Sequence, residues 1–216
     1  MSTCISKDFC CPHCGAVNKK QMWIGISAGS NPELRQKILN ETLYAWKCPE
    51  CGYEAELVYP LLYHDKQRGF LVIVSPGSCS CQEAAEDVQG KYPQLEGVKK
   101  RLVPSLAGLK EKILIFEAGL NDAAVEMVKS ALLELVEKKR GRKALEGFFM
   151  TADKDVNYIG FSFFLDGVDK PVRQGTGLEA YEKSLEIVRS LHYTDGPDFD
   201  VVDIQLAETL LDEYQE

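Results

Sequence analysis

Apolar positions change period several times along the chain, and each change marks an element. MWIGISA (22–28) is a strand-like run. Asn31-Pro32-Glu33 follows as a helix start, with Asn31 as N-cap and Pro32 at the first helical position, leading into ELRQKILNE. LVYPLLY (57–63) and FLVIV (70–74) are two further strand runs, and HDKQRG between them reads as a hairpin loop with Asp65 and Gly69 in turn roles. Residues 109–118 read as helical, Gly119 ends that segment, and Asn121 or Asp122 caps a second helix running to about Arg140. Ala124, Val128, Ala131 and Leu135 are its predicted apolar face.

The period shortens again in FFMTA and NYIGFSFFL, where Ile159, Phe161, Phe163 and Leu165 alternate as strand residues do. Asp166-Gly167 predicts a hairpin turn into a strand carrying Pro171, hence an edge strand. Gly175 and Gly177 are too closely spaced to cradle a phosphate and read as a turn before the helix LEAYEKSLEIVRSL. The last predicted helix carries Ile204, Ala207, Leu211 and Tyr214 on one face.

A composition of 45% hydrophobic residues, with nine Phe and nine Tyr, is enough for a buried core. No run approaches the roughly 18 apolar residues of a membrane span, and MSTCISKDFCC lacks the basic start and apolar stretch of a secretory signal. The expected compartment is the cytoplasm, where thiols stay reduced, so eight cysteines within the first 81 positions read as metal ligands or reactive thiols before disulfides. The net charge of -8 is uneven: residues 151–216 hold 5 basic and 15 acidic side chains, residues 1–150 hold 20 and 18. That balance lacks the broad basic footprint of a nucleic-acid binder, which speaks against such a partner and leaves a protein partner open.

The chemistry concentrates in a repeat. FCCPHCGAVNKK (9–20) is echoed by WKCPECGYEAE (46–56), so Cys11, Cys14, Cys48 and Cys51 form C-x2-C-x33-C-x2-C. Two cysteines three positions apart in a tight turn can aim both sulfurs at one point. Gly15 and Gly52 sit where the turn closes and tolerate positive φ, while Pro12 and Pro49 pre-set φ at its first residue. Two such knuckles facing each other make a closed tetrahedral S4 site, the structural zinc arrangement, expected to hold one Zn(II) per chain. Iron is the rival occupant, because rubredoxins also use two C-x2-C-G knuckles and CPECGYE is close to their pattern. The loop of 33 residues between the knuckles must contain structure of its own.

These residues, with W-x-x-I-x-x-x-x-x-P-E-L (Trp23–Leu34), VYPLLYHD (58–65) and LKEKILIFEAGLNDAAVEMVK (109–129), resemble the CpXC family of prokaryotic proteins over roughly residues 8–130. The resemblance implies zinc bound by the four cysteines and carries no assigned activity.

The remaining candidates are weighed against plain structural roles. His64 and Asp65 are adjacent in an extended stretch and point to opposite faces, so they cannot form a triad-type pair. Cys79 and Cys81, after the Pro76-Gly77 turn, could oxidise or add to a second metal, although a polar loop before a helix at EAAEDV is the simpler reading. Cys10 reads as a bystander and Cys4 as part of a frayed terminus. KKRGRK (138–143) complements the C-terminal end of its helix. Asp195, Asp198, Asp200 and Asp203 lack the spacing of an EF-hand and read as acids at a helix start.

The chain is thus expected to be an α+β protein with a zinc-ribbon-like β module at 1–76, a mainly helical segment at 77–145, and an acidic region with a second small antiparallel sheet and helices at 146–216. A non-enzymatic binding or scaffold protein with a structural Cys4 zinc site is the leading expectation. An enzyme or redox protein using His64, Tyr63 or the Cys79/Cys81 pair, or an iron electron carrier, is the alternative.

Overall fold

The computed structural model describes residues 2–77 and 97–215, and Cys79, Cys81 and the expected EAAEDV helix lie outside them. The fold is α+β. Two compact units form: Met1–Lys110 with Pro197–Phe199, and Glu111–Gly196 with Asp200–Glu216.

The first unit is built on five strands: β1 (Thr3–Cys10), β2 (Val17–Ser27), β5 (Leu61–Asp65), β6 (Phe70–Val74) and β7 (Lys99–Val103), in the order β1-β2-β5-β6-β7. The sheet is mixed, with β2/β5 and β6/β7 parallel and the other pairs antiparallel. All five residues of β6 are buried, as a continuous apolar run in an interior strand requires. Cys4 lies in β1 opposite Trp23, so the expected frayed terminus is instead a paired strand. Helix α1 (Pro32–Leu39) starts where Asn31-Pro32 predicts, but the Asn31 side chain makes no capping bond and donates to Glu33 Oε1 at 2.7 Å.

Strand β5 extends two residues further than the sequence suggests, which places His64 and Asp65 in the sheet rather than in the loop. The turn is Lys66–Gly69, with Gly69 at φ 68°. Asp65 still organises it: Oδ1 accepts the Arg68 N–H and Oδ2 the Arg68 guanidinium, both at 3.0 Å.

A separate two-stranded antiparallel sheet, β3 (Ala45–Lys47) and β4 (Glu54–Glu56), completes this unit. Lys20 Nζ donates to the Ala45 carbonyl at 3.0 Å, the Tyr44 hydroxyl to the Tyr59 carbonyl at 2.7 Å, and the Tyr59 hydroxyl accepts the Trp23 N–H at 3.3 Å. These bonds join the β3–β4 hairpin to the β1–β2 hairpin.

Helix α2 (Leu106–Glu117) spans the boundary between the units; the second unit then continues through α3 (Asp122–Arg140), β8 (Ala144–Asp153), β9 (Tyr158–Leu165), β10 (Val172–Thr176), α4 (Leu178–Ser190) and α5 (Ile204–Gln215). Its sheet is antiparallel in the order β10-β9-β8, so the strand following Pro171 is an edge, as expected. Ile159, Phe161, Phe163 and Leu165 are buried in the core.

Helix α3 departs from its predicted face. It contacts β8, α4 and α5, so every residue from Asp122 to Ser130 is buried, whereas Ala131 is exposed and Leu135 is 42% exposed. In α5 the buried residues are Ala207 and Leu210, and Tyr214 is 54% exposed. Asn121 accepts the Ala124 N–H at 3.0 Å, and Gly141 closes α3 at φ 60° after Lys138, Lys139 and Arg140.

No helix among the described residues is long and apolar enough to cross a membrane.

Candidate metal centre

Each knuckle occupies the turn of a hairpin, Cys11–Gly15 between β1 and β2, and Cys48–Gly52 between β3 and β4. The backbone repeats from one to the other. The Cys11 N–H donates to the Ala16 carbonyl at 2.9 Å and the Cys48 N–H to the Tyr53 carbonyl at 2.8 Å, and the Gly15 and Gly52 N–H groups return to the Cys11 and Cys48 carbonyls, each at 2.9 Å. Gly15 stands at φ 73° and Gly52 at φ 74°, a left-handed conformation that lets the turn close without a Cβ clash.

The lysine and tyrosine bonds that join the two hairpins bring the turns together. The Sγ atoms of Cys11, Cys14, Cys48 and Cys51 all lie within 4.8 Å of one another. Cys11 to Cys51 is 3.7 Å and Cys14 to Cys48 is 3.8 Å. Sulfurs about 2.3 Å from one zinc ion stand about 3.8 Å apart along a tetrahedron edge, so the donor set and its spacing fit a tetrahedral thiolate metal.

The surroundings are asymmetric. Cys11 and Cys48 are each 1% exposed and pack against Trp46, with Phe9, Ala55 and Leu57 around them, while Cys14 and Cys51 face solvent. The Phe9 and Trp46 rings meet edge to face at 4.8 Å. Both stand two positions before the first cysteine of their knuckle, so the repeat is longer than C-P-x-C-G: it begins with the aromatic residue that covers the inner sulfurs. On the outer side His13 and Tyr53 stack, with centroids 5.7 Å apart and planes 5° from parallel.

Burial would push the Cys11 thiol up, but the backbone N–H groups of Cys14 and His13 and the neighbouring thiols outweigh it and bring the thiol down to about 7. At Cys14 the Ala16 N–H pulls down, yet the Cys51 thiol, burial and the other two thiols raise it to about 12. Cys51 is also raised: the Tyr53 N–H pulls it down, and burial with the Cys48 and Cys11 thiols pushes it up. One inner sulfur is therefore poised as a thiolate while the outer pair holds its protons, and a cation that binds here displaces them.

The other candidates lie elsewhere. Cys10 is exposed, outside the four-sulfur group, with Sγ 3.5 Å from the Gly15 carbonyl. Tyr63 and His64 point to opposite faces of β5. Tyr63 is wholly buried and stacks on Phe70 at 6.0 Å, whereas His64 is half-buried opposite Leu71 and Ser27, its imidazole held low by burial. They do not converge on one site. Asp203 accepts the Leu206 N–H at the start of α5, the helix-start role the sequence suggests, whereas Asp200 accepts the Gly196 N–H within the preceding loop. Among the described residues the four cysteines are the one group of His, Cys, Asp or Glu with metal-ligand spacing.

A family model described as CpXC protein matches residues 9–129, which include both knuckles. No curated protein and no solved structure matches the chain.

Proposed function

The chain belongs to the CpXC family, and from that premise we propose that it is a zinc protein whose single Cys4 site is structural, serving a non-enzymatic binding or scaffold role. The observation that carries this reading is the convergence of four sulfurs from two hairpins, two of the sulfurs buried against Trp46. Four protein ligands complete a tetrahedron and leave no coordination position for a substrate. The free energy of zinc binding becomes folding free energy, on the order of 10 kcal/mol or more for such sites at neutral pH.

The test is metal content by elemental mass spectrometry on reduced protein, with melting curves before and after dialysis against a strong chelator. One zinc per chain and a lower melting temperature after its removal support the reading. An unchanged melting curve after complete metal loss rejects the structural role. Iron with thiolate charge-transfer bands in the visible spectrum rejects zinc and turns the search toward electron transfer.

A further inference from the structure

The metal centre makes no use of the three-stranded sheet of the second unit, whose helices pack on one of its faces. Ile159, Phe161, Phe163 and Leu165 of β9 turn inward to the core that the sheet shares with α3 and α4. Tyr158, Gly160, Ser162 and Phe164 alternate with them and belong to the opposite, outer face. Register extends that face onto both neighbouring strands. Phe164 stands opposite Glu146 of β8, and Ser162 stands between Phe148 of β8 and Arg173 of β10.

The centre of the outer face is aromatic. Phe164 is 40% exposed and Tyr158 39%. Phe148 and Phe164 meet edge to face with centroids 6.1 Å apart. Ser162 is buried among these neighbours, so the side chains around it close into a continuous surface. Gly160 and Gly175 are partners across the ladder, and a methyl group at either would run into the Tyr158 ring. The ring is therefore seated on a floor of two glycines, a fixed anchor for whatever packs on it. Three strands about 4.8 Å apart, the central one eight residues long, make a face on the order of 400 Å², an area in the range where an exposed patch marks an interaction site.

Charge says what the face accepts. Glu146 lies on the β8 edge and Arg173 on the β10 edge, both exposed and neither with an ion-pair partner among the described residues. The remaining charged side chain of the face, Asp153, is held in its own turn, where Oδ1 accepts the Asp155 and Val156 N–H groups at 2.9 and 3.3 Å. An acidic or a basic partner would satisfy one edge and meet like charge at the other. A second copy of the chain satisfies both.

We propose that this face is the interface of a homodimer, in which two copies pack outer sheet against outer sheet about a two-fold axis running along β9. That operation lays β8 of one copy over β10 of the other. The partner's Arg173 then stands over Phe148, with Glu146 about 7 Å along the same strand and within reach of the guanidinium. The same contacts recur at the opposite edge, with Phe164 and Tyr158 between them. The small area places the dimer among weak interfaces, so it assembles with concentration.

Sedimentation velocity of the full chain, from low to high micromolar concentration in reductant, tests this; the reductant prevents linkage through the exposed Cys4 and Cys10. The expected result is a monomer-dimer equilibrium. Its dissociation constant should rise about tenfold or more in R173E and in E146R, each of which sets like charges together, and return to within about threefold of the parent in E146R/R173E. Single variants that associate like the parent, or a combined variant no better than either, overturn this interface. Parent protein that stays monomeric at every concentration overturns the dimer and leaves the face to a partner of different sequence, and that readout stands even if a variant fails to fold.

Discussion

The Sγ atoms of Cys11 and Cys51 lie 3.7 Å apart although forty positions separate them in the chain. Cys14 and Cys48, 34 positions apart, meet at 3.8 Å. Both close contacts join one knuckle to the other, so each half of the site faces sulfur supplied by a different hairpin.

Replacing an inner ligand, Cys11→Ser or Cys48→Ser, should therefore abolish stoichiometric zinc and lower the melting temperature, since a serine hydroxyl is a poor zinc ligand and the remaining three sulfurs stay beside an open position. Cys10→Ser and Cys4→Ser, outside the sulfur group, should keep one zinc per chain. Elemental mass spectrometry on the four variants checks both halves.

Zinc titrated into the reduced, metal-free chain at about pH 8 should release fewer than four protons, because Cys11 sits at about 7 and is already largely thiolate while Cys14, at about 12, and Cys51 are not. Calorimetry in buffers of differing ionisation enthalpy counts them. The sign for the metal-free fold follows from the same two directions. The lowered Cys11 contributes stability above its unfolded value near 9 that is lost as pH falls through about 7, and the raised Cys14 contributes stability that is lost as pH rises through about 12.

Trp46→Ala leaves all four ligands in place and removes the ring that covers Cys11 and Cys48. A loss of roughly 3 kcal/mol in the stability of the metal-bound chain is expected for truncating a buried tryptophan, together with faster metal transfer to a chromogenic chelator. Denaturant unfolding followed by circular dichroism measures the first effect, and the absorbance of the chelator complex the second.

Asn157→Ala should cost about 1 kcal/mol although it lies in the turn between β8 and β9. Gly177, at the start of α4, has no side chain to cap the helix, and Asn157 supplies the missing acceptor by taking the Leu178 N–H on Oδ1 at 3.0 Å. Its φ of 51° suits asparagine better than alanine and adds to the loss. Hydrogen exchange over residues 178–182 should rise in the variant.

Much of the candidate site was legible in the chain. The spacing of Cys11, Cys14, Cys48 and Cys51, the prolines after the first cysteines and the glycines at positive φ specify two knuckles, because a tight turn is determined by a handful of neighbouring residues. Phe9 and Trp46 were legible too, at matching offsets in the repeat, but only their edge-to-face meeting shows why an aromatic residue stands there. The reverse happened at His64, where a turn-rich stretch concealed two further strand residues, because pairing with Leu71 and Ser27 overrides the local preference of His-Asp for a loop.

By itself the sequence determined what depends on near neighbours: the knuckle turns, a cap of α3 at Asn121 or Asp122 and its stop at Gly141, and the alternation that buries Ile159, Phe161, Phe163 and Leu165. Tertiary structure alone decided what depends on distant partners. It made β2/β5 and β6/β7 parallel, a choice that local period does not encode. It enclosed α3 between β8, α4 and α5 so that its first nine residues are buried all round, where a single apolar stripe implied a surface helix. The burial of Glu111, Lys112, Asp122, Glu126 and Lys129 belongs to the tertiary structure for the same reason: a buried ion becomes tolerable only when its counter-ions arrive from another element, and which charges will meet is set by packing rather than by period.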